Sequence, residues 1–222
     1  MAQYHPSEDL LAMYASGSAD AQTEALIAAH LTYCPICRRI VAEHEKIAGA
    51  LFENSAGPGA INPAGVEDIL KIKPQQAPAV IRDAPAGSLN NIAPRPLVNY
   101  LHQKTGVTDI DALNWTNYAP GIKRAIIVGN QDAALVRLIK AEPGAKFPEH
   151  GHGSDELALV LTGAYHDQTG RYATGDVQTA PAALSHQPIV ENDGVCFAFV
   201  VSEKPAIPKN IAAKTIERTV GK

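Results

Sequence analysis

A chain of 222 residues, 45% apolar and 19% charged, is long enough for one large domain or two small ones and too apolar for wholesale disorder. Its net charge of −4 argues against direct binding of nucleic acid, and three cysteines, Cys34, Cys37 and Cys196, make no disulfide framework. No apolar run is long enough to span a bilayer, and the start MAQYHPSEDL lacks both the basic beginning and the apolar core of a secretory signal, so a cytoplasmic protein with no membrane association is expected.

From Ser7 to about Asn54 the pattern is helical. Leu10, Leu11 and Tyr14 recur at helical spacing before Gly17, and Ser18 is the expected N-cap of a second helix carrying Ala25, Leu26, Ala29 and His30. Pro35 cannot continue that helix but suits the first turn of a third, running through Ile36, Ile40, Ile47 and Leu51. Three short helices make a poor core unaided, so a metal or a partner is expected to hold them. Residues 1–55 contain Arg38, Arg39 and Lys46 against seven Asp and Glu, so this quarter carries the whole −4. That balance suits a basic protein partner, although a solvated acidic face accounts for it equally well.

The stretch HLTYCPIC brings together His30, Cys34 and Cys37. A spacing of four puts His30 and Cys34 on one side of a helix, and Cys37 lies across the turn at Pro35. A helix N-terminus lowers the pKa of a nearby thiol and favours the thiolate a metal takes. Structural zinc accepts two cysteines and two histidines. His5, just before the first helix, is the best candidate for the fourth ligand, with His44 as its competitor. A thioredoxin-like redox pair would need a βαβ context that is absent, and two incidental buried thiols are the plainer alternative.

Residues 55–96 are rich in Pro, Gly and Ala and read as a tether, within which GVEDILKIK can form one more short amphipathic helix. From about Pro96 onward the pattern turns to β. The runs RAIIVG, AALVRLIKA, ELALVLTG and VCFAFVVS, separated by Gly, Pro and Asp turns, indicate a sandwich or small barrel. His150 and His152 are two apart and share a strand face, and Glu156 keeps that parity. His186 in PAALSH is the candidate fourth ligand from a later strand, and Gly163 is expected to make the hairpin turn after the ligand-bearing strand. Three histidines and a carboxylate suit zinc, iron, manganese or nickel without choosing among them. Cys196 faces opposite to Phe197 and Phe199; core packing is the favoured reading, and an oxidisable group lining the barrel the other. Trp115 and Tyr118 are expected to pack at the barrel edge.

The set His5 with H-x3-C-x2-C (His30, Cys34, Cys37) resembles the zinc-binding anti-sigma domain. Residues Gly144 to Gly163 match the first cupin motif, G-x5-H-x-H-x3-E-x6-G, at every specified position. The second cupin motif is met by Gly175, Pro181 and His186, with Ala183 in place of glycine and Val190 in place of asparagine. The resemblances imply an α plus all-β two-domain chain: a zinc-stapled helical anti-sigma domain over 1–75, a Pro/Ala-rich linker over 76–95, and a cupin, a double-stranded β-helix or jelly-roll barrel, over 96–222. The whole chain resembles the ChrR family of anti-sigma factors, which join these two domains in this order. The resemblance implies a partner, an extracytoplasmic-function-type sigma factor, and release on an oxidative stress signal such as singlet oxygen or an organic peroxide. It also implies structural zinc in the first site and zinc or another divalent transition metal in the cupin. A cupin metalloenzyme, dioxygenase-like with iron or manganese and an accessory zinc domain, is the alternative. Tyr165, His166 and Asp167 are the nearest acid–base groups it could use, and they read as turn and strand-edge residues. A DNA-binding repressor fails on the acidic charge of residues 1–55. An acidic helical zinc module on a tether suits a regulator and not an enzyme, and the regulator is the expected function.

Overall fold

Ser7 starts the first helix, α1 (Glu8–Ala15), by accepting the Leu10 N–H on its side chain at 3.4 Å, which satisfies one of the donors a helix start leaves bare. This is a computed structural model, and it describes residues 2–54, 71, 88–130, 133–204 and 206–208. Asp20, not Ser18, caps α2 (Ala21–Tyr33), taking the Thr23 N–H at 2.8 Å. Ser18 is used otherwise, closing the end of α1 through a bond from its backbone N–H to the Met13 carbonyl. Pro35 opens α3 (Pro35–Asn54) as expected, since its missing N–H is one the helix start would not have bonded. The helix expected in GVEDILKIK lies outside the described residues, apart from Lys71.

The β pattern expected from Pro96 is preceded by another helix, α4 (Arg95–Thr105). Pro96 sits in its first turn and Gly106, at φ 71°, ends it in the left-handed conformation. Its buried residues Leu97, Val98, Tyr100 and Leu101 form one apolar face. Just before it, Leu89 is fully buried in a 3-10 turn at Leu89–Asn91, so this part of the expected linker is packed structure.

Among the described residues twelve strands follow: β1 (Trp115–Ala119), β2 (Ile122–Asn130), β3 (Ala133–Ala141), β4 (His150–His152), β5 (Glu156–Thr162), β6 (Ala164–Asp167), β7 (Gly170–Ala173), β8 (Val177–Ala180), β9 (Ser185–His186), β10 (Ile189–Val190), β11 (Cys196–Ser202) and β12 (Ala206–Pro208). They form an antiparallel six-stranded sheet in the order β1-β2-β3-β11-β5-β8 and two three-stranded sheets, β10-β6-β7 and β12-β4-β9. All three sheets line one cavity, the arrangement of a cupin barrel. Gly163, at φ 69°, does not make a hairpin: β5 pairs with β8 and β11, whereas β6 pairs with β7 and β10. It is the corner where the chain passes from one sheet to another, and a Cβ there would lie 2.8 Å from the Val195 carbonyl oxygen.

Strand β11 is buried on both faces, which is why CFAFVVS reads as an unbroken apolar run. Cys196, Ala198 and Val200 face the cavity. Phe197, Phe199 and Val201 belong to a second cluster, shared with Leu26, Ile27 and Ala29 of α2 and with Leu97, Val98 and Leu101 of α4. The helical module is thereby seated on the outer face of the barrel. Tyr100 meets Phe199 edge-on at 5.9 Å, and Trp115 meets Phe197 at 6.3 Å. Among the described residues, no helix is long and apolar enough to cross a membrane.

Two candidate metal centres

The first centre is built where α2 breaks. Tyr33 ends that helix, Cys34 adopts an extended conformation (φ −115°, ψ 102°), and Cys37 falls in the first turn of α3. His30 comes from the last turn of α2, and His5 from the arm that precedes Ser7. One ligand atom from each of His5, His30, Cys34 and Cys37 lies within 4.8 Å of all the others. His5 Nδ1 is 3.4 Å from Cys34 Sγ and 3.5 Å from Cys37 Sγ, and His30 Nε2 is 3.3 Å from Cys37 Sγ. A tetrahedral ion bonded at about 2.0–2.1 Å to nitrogen and 2.3 Å to sulfur separates its ligands by roughly 3.3–3.8 Å. The four donors therefore fit such an ion. His44 lies apart from them, with its Nε2 4.0 Å from Glu8 Oε1.

Without an ion, burial keeps the Cys37 and His30 side chains of this centre in their neutral forms, so the thiol is raised and not lowered as the helix start alone would have it. Burial, with the hydrogen bond and charge of Cys34 beside it, pushes the Cys37 thiol up to about 12. Burial lowers the pKa of His30, which keeps its imidazole neutral and able to donate a lone pair. The His30 Nδ1–H donates to the Gly175 carbonyl at 2.8 Å, which fixes the tautomer and leaves Nε2 facing the thiols. The Cys37 backbone N–H points at Cys34 Sγ, 3.4 Å away, so the start of α3 supports negative charge on that sulfur.

The second centre lies inside the barrel. His150 and His152 project from β4, and β9 pairs with β4 so that His186 stands directly opposite His150. His186 Nε2 is 3.0 Å from His152 Nε2 and 3.1 Å from His150 Nε2. The Nδ1–H of His150 donates to the Pro148 carbonyl at 2.9 Å, and that of His186 donates to Asp167 Oδ2 at 2.6 Å. Both rings thus turn a bare Nε2 lone pair toward the same point, where a cation satisfies them together. Burial pushes His150 down to about 4 and also lowers His152, so these two imidazoles are neutral ligands at ordinary pH.

The structure brings the three histidines together but does not bring Glu156 into the group. Its carboxylate pairs with Arg137, whose guanidinium also donates to Ser202 Oγ at 3.2 Å, and stands 3.8 Å from His152 Nδ1. Glu156 is therefore held one step outside the three nitrogens by a buried arginine that the sequence reading did not single out.

Asp167, at the strand edge as expected, also supports the second centre. Its carboxylate is wholly buried and accepts from His186, from the Thr169 N–H at 2.7 Å and from Gln178 Nε2 at 2.8 Å. Gln178 Oε1 in turn accepts the Tyr165 hydroxyl at 2.7 Å. Burial alone would raise the Asp167 pKa, but the bonds from Thr169, Gln178 and His186 outweigh it and hold the pKa below the usual value. The legible signal was polar side chains at alternate positions of a short strand, Tyr165 and Asp167 on β6. Asp167→Asn is expected to weaken metal binding at this centre about 10- to 100-fold, as loss of a ligand's hydrogen-bond partner commonly does. Competition against a chromophoric chelator measures it, and an unchanged affinity would show that His186 needs no such anchor.

The centre opens on a cavity walled by Ile139, Phe147, Ala158 and Val200. Cys196 lines it, and burial pushes its thiol up to about 12, so it sits there as a neutral, weakly nucleophilic group.

Residues 103–205 match the family described as the ChrR cupin-like domain. Anti-sigma-E factor ChrR of Cereibacter sphaeroides is 30% identical over 203 residues, 91% of each chain. The crystal structure of Rhodobacter sphaeroides SigE in complex with the anti-sigma ChrR superimposes with a TM-score of 0.71 at 26% identity, covering 91% of this chain and 100% of that one.

Proposed function

The chain belongs to the ChrR family of anti-sigma factors, and from that premise we propose that its helical module sequesters an extracytoplasmic-function-type sigma factor and releases it on an oxidative signal received in the cupin. The observation that carries this reading is the four-donor group of His5, His30, Cys34 and Cys37 on a helical module seated on a cupin with its own three-histidine group. In this reading zinc occupies the first centre as a structural ion. The second takes zinc or another divalent transition metal, with Glu156 as the nearest additional donor. As a member of a family of regulators, the chain is read as a regulator and not as an enzyme.

The surface of α3 supports a protein partner. Cys37 and Val41 turn inward, whereas Ile47 and Leu51, on the apolar run expected of this helix, are 59% and 69% exposed, and Phe52 is 81% exposed. Ile36, Ile47 and Leu51 share one side of this long helix and mark an apolar stripe, the kind of face that docks into another protein. Release requires that the signal change the free energies of bound and free states by different amounts, so it must act on something the two states hold differently. Oxidation or altered ligation at His150, His152 and His186 is such an event.

The test is co-expression of the full chain with the sigma factor encoded nearest to it, followed by metal analysis of what co-purifies. A one-to-one complex with about two metals per chain is expected, and the absence of any complex would overturn the reading. In the same assay His186→Ala is expected to keep the sigma factor bound while removing its release by a singlet-oxygen photosensitiser. Loss of binding in that variant would show that the two modules do not divide the work in this way.

A further inference from the structure

The first metal centre does not end at the helical module. We infer that the cupin turn at Gly175 and Asp176 is part of that centre, with Asp176 a positioning residue that holds His5 in reach of the ion and the Gly175 carbonyl orienting His30. The inference rests on the reading of His5, His30, Cys34 and Cys37 as a metal site and extends it to a residue from the other domain.

The arm carrying His5 has no helix or sheet of its own to fix it. What fixes it is β8 and the turn before it. Asp176 Oδ1 accepts the backbone N–H groups of Gln3 and of Tyr4, the latter at 3.0 Å. The Val177 N–H donates to the Tyr4 carbonyl at 3.1 Å, and the Tyr4 ring packs on Tyr172 at 4.5 Å. These contacts lie on the residues immediately before His5. Holding the turn together explains only half of the Asp176 carboxylate. Oδ2 accepts the Ala173 N–H at 2.8 Å within the turn, while Oδ1 is given over to the arm.

Gly175 acts on the second histidine. Its carbonyl takes the His30 Nδ1–H, and its left-handed φ of 93° presents that carbonyl while Tyr33 of α2 packs on its Cα. A Cβ at this position would lie 2.8 Å from Tyr33 Cβ and would wedge α2 away from the turn. Two of the four ligands are therefore oriented by two consecutive cupin residues. Ordering the His5 arm before the ion arrives removes conformational freedom that metal binding would otherwise have to remove, so the docked cupin raises the affinity of the helical centre. The hold of the anti-sigma module on its ion thus depends on the barrel.

Cobalt(II) titration of the full-length protein tests this. Thiolate-to-cobalt charge-transfer bands report the cysteine centre, and the imidazole centre is followed separately by competition with a chelator. Asp176→Ala is expected to weaken cobalt binding at the cysteine centre about 10-fold or more while leaving the imidazole centre unchanged. Asp176→Asn, which keeps an acceptor for the arm, should fall between the two. Gly175→Ala should weaken the cysteine centre as well. Equal weakening of both centres in Asp176→Ala would mean that the residue only holds the fold, and no change at the cysteine centre would mean that the arm needs no clamp; either result overturns the inference. A wild-type protein with no charge-transfer bands would instead remove the metal reading itself.

Discussion

Cys34→Ala is expected to abolish sigma-factor binding, to lower the metal content by one per chain, and to leave the second centre loaded. The thiol is fully buried at the break between α2 and α3, and its sulfur faces both His5 and the first turn of α3. A structural zinc site contributes on the order of 10–16 kcal/mol of apparent binding energy in small metal-dependent modules. That is comparable to the whole stability of a typical domain, about 5–15 kcal/mol. Losing one of two thiolates removes a large part of it, and α1 and α3 have little else to hold them, since Leu11, Cys37 and Val41 are their only described residues in the buried core. Pull-down with the sigma factor and far-ultraviolet circular dichroism of the variant measure both effects. Retained inhibition with one fewer metal would take zinc out of the mechanism.

Phe199→Ala is expected to destabilise the protein by about 3–5 kcal/mol, the usual range for removing a buried aromatic ring. Phe199 is fully buried at the middle of β11 and meets Tyr100 of α4 edge-on, so its ring joins barrel and helices. Cys196, three residues earlier and on the cavity side of the same strand, should tolerate Cys196→Ala far better. Urea unfolding compares them, and a loss below about 1 kcal/mol for Phe199→Ala would show that this cluster does not bind the two halves.

Much of this arrangement is legible in the residues themselves. Pro35 marks the break that carries the first centre, and the match from Gly144 to Gly163 places two histidines on one strand face. What escaped was of two kinds. The helix at Arg95–Thr105 was passed over because its prolines read as linker punctuation, although Pro at a helix start and Gly106 at its end are helix signals. The partners of the ligands escaped for a deeper reason. Asp167 beneath His186, Arg137 beside Glu156 and Gly175 beneath His30 are separated from those residues by 19, 19 and 145 positions. No local periodicity links residues so far apart; only closure of the sheets and docking of α2 bring them together. The stripe of Ile47 and Leu51 shows the converse, an apolar helical period legible in the sequence whose residues lie in solvent.

The cluster shared by α2, α4 and β11 has a thermodynamic consequence. Elements that bury one another's apolar faces open together, so α2, α4 and the barrel approach a single cooperative unit. An ion bound only by the folded chain draws that whole equilibrium by mass action, adding about 4 kcal/mol when present at a thousandfold excess over its dissociation constant. An ion held by the three barrel histidines would therefore steady α2 and α4 together with the barrel, while α3 and its apolar stripe depend on the first centre.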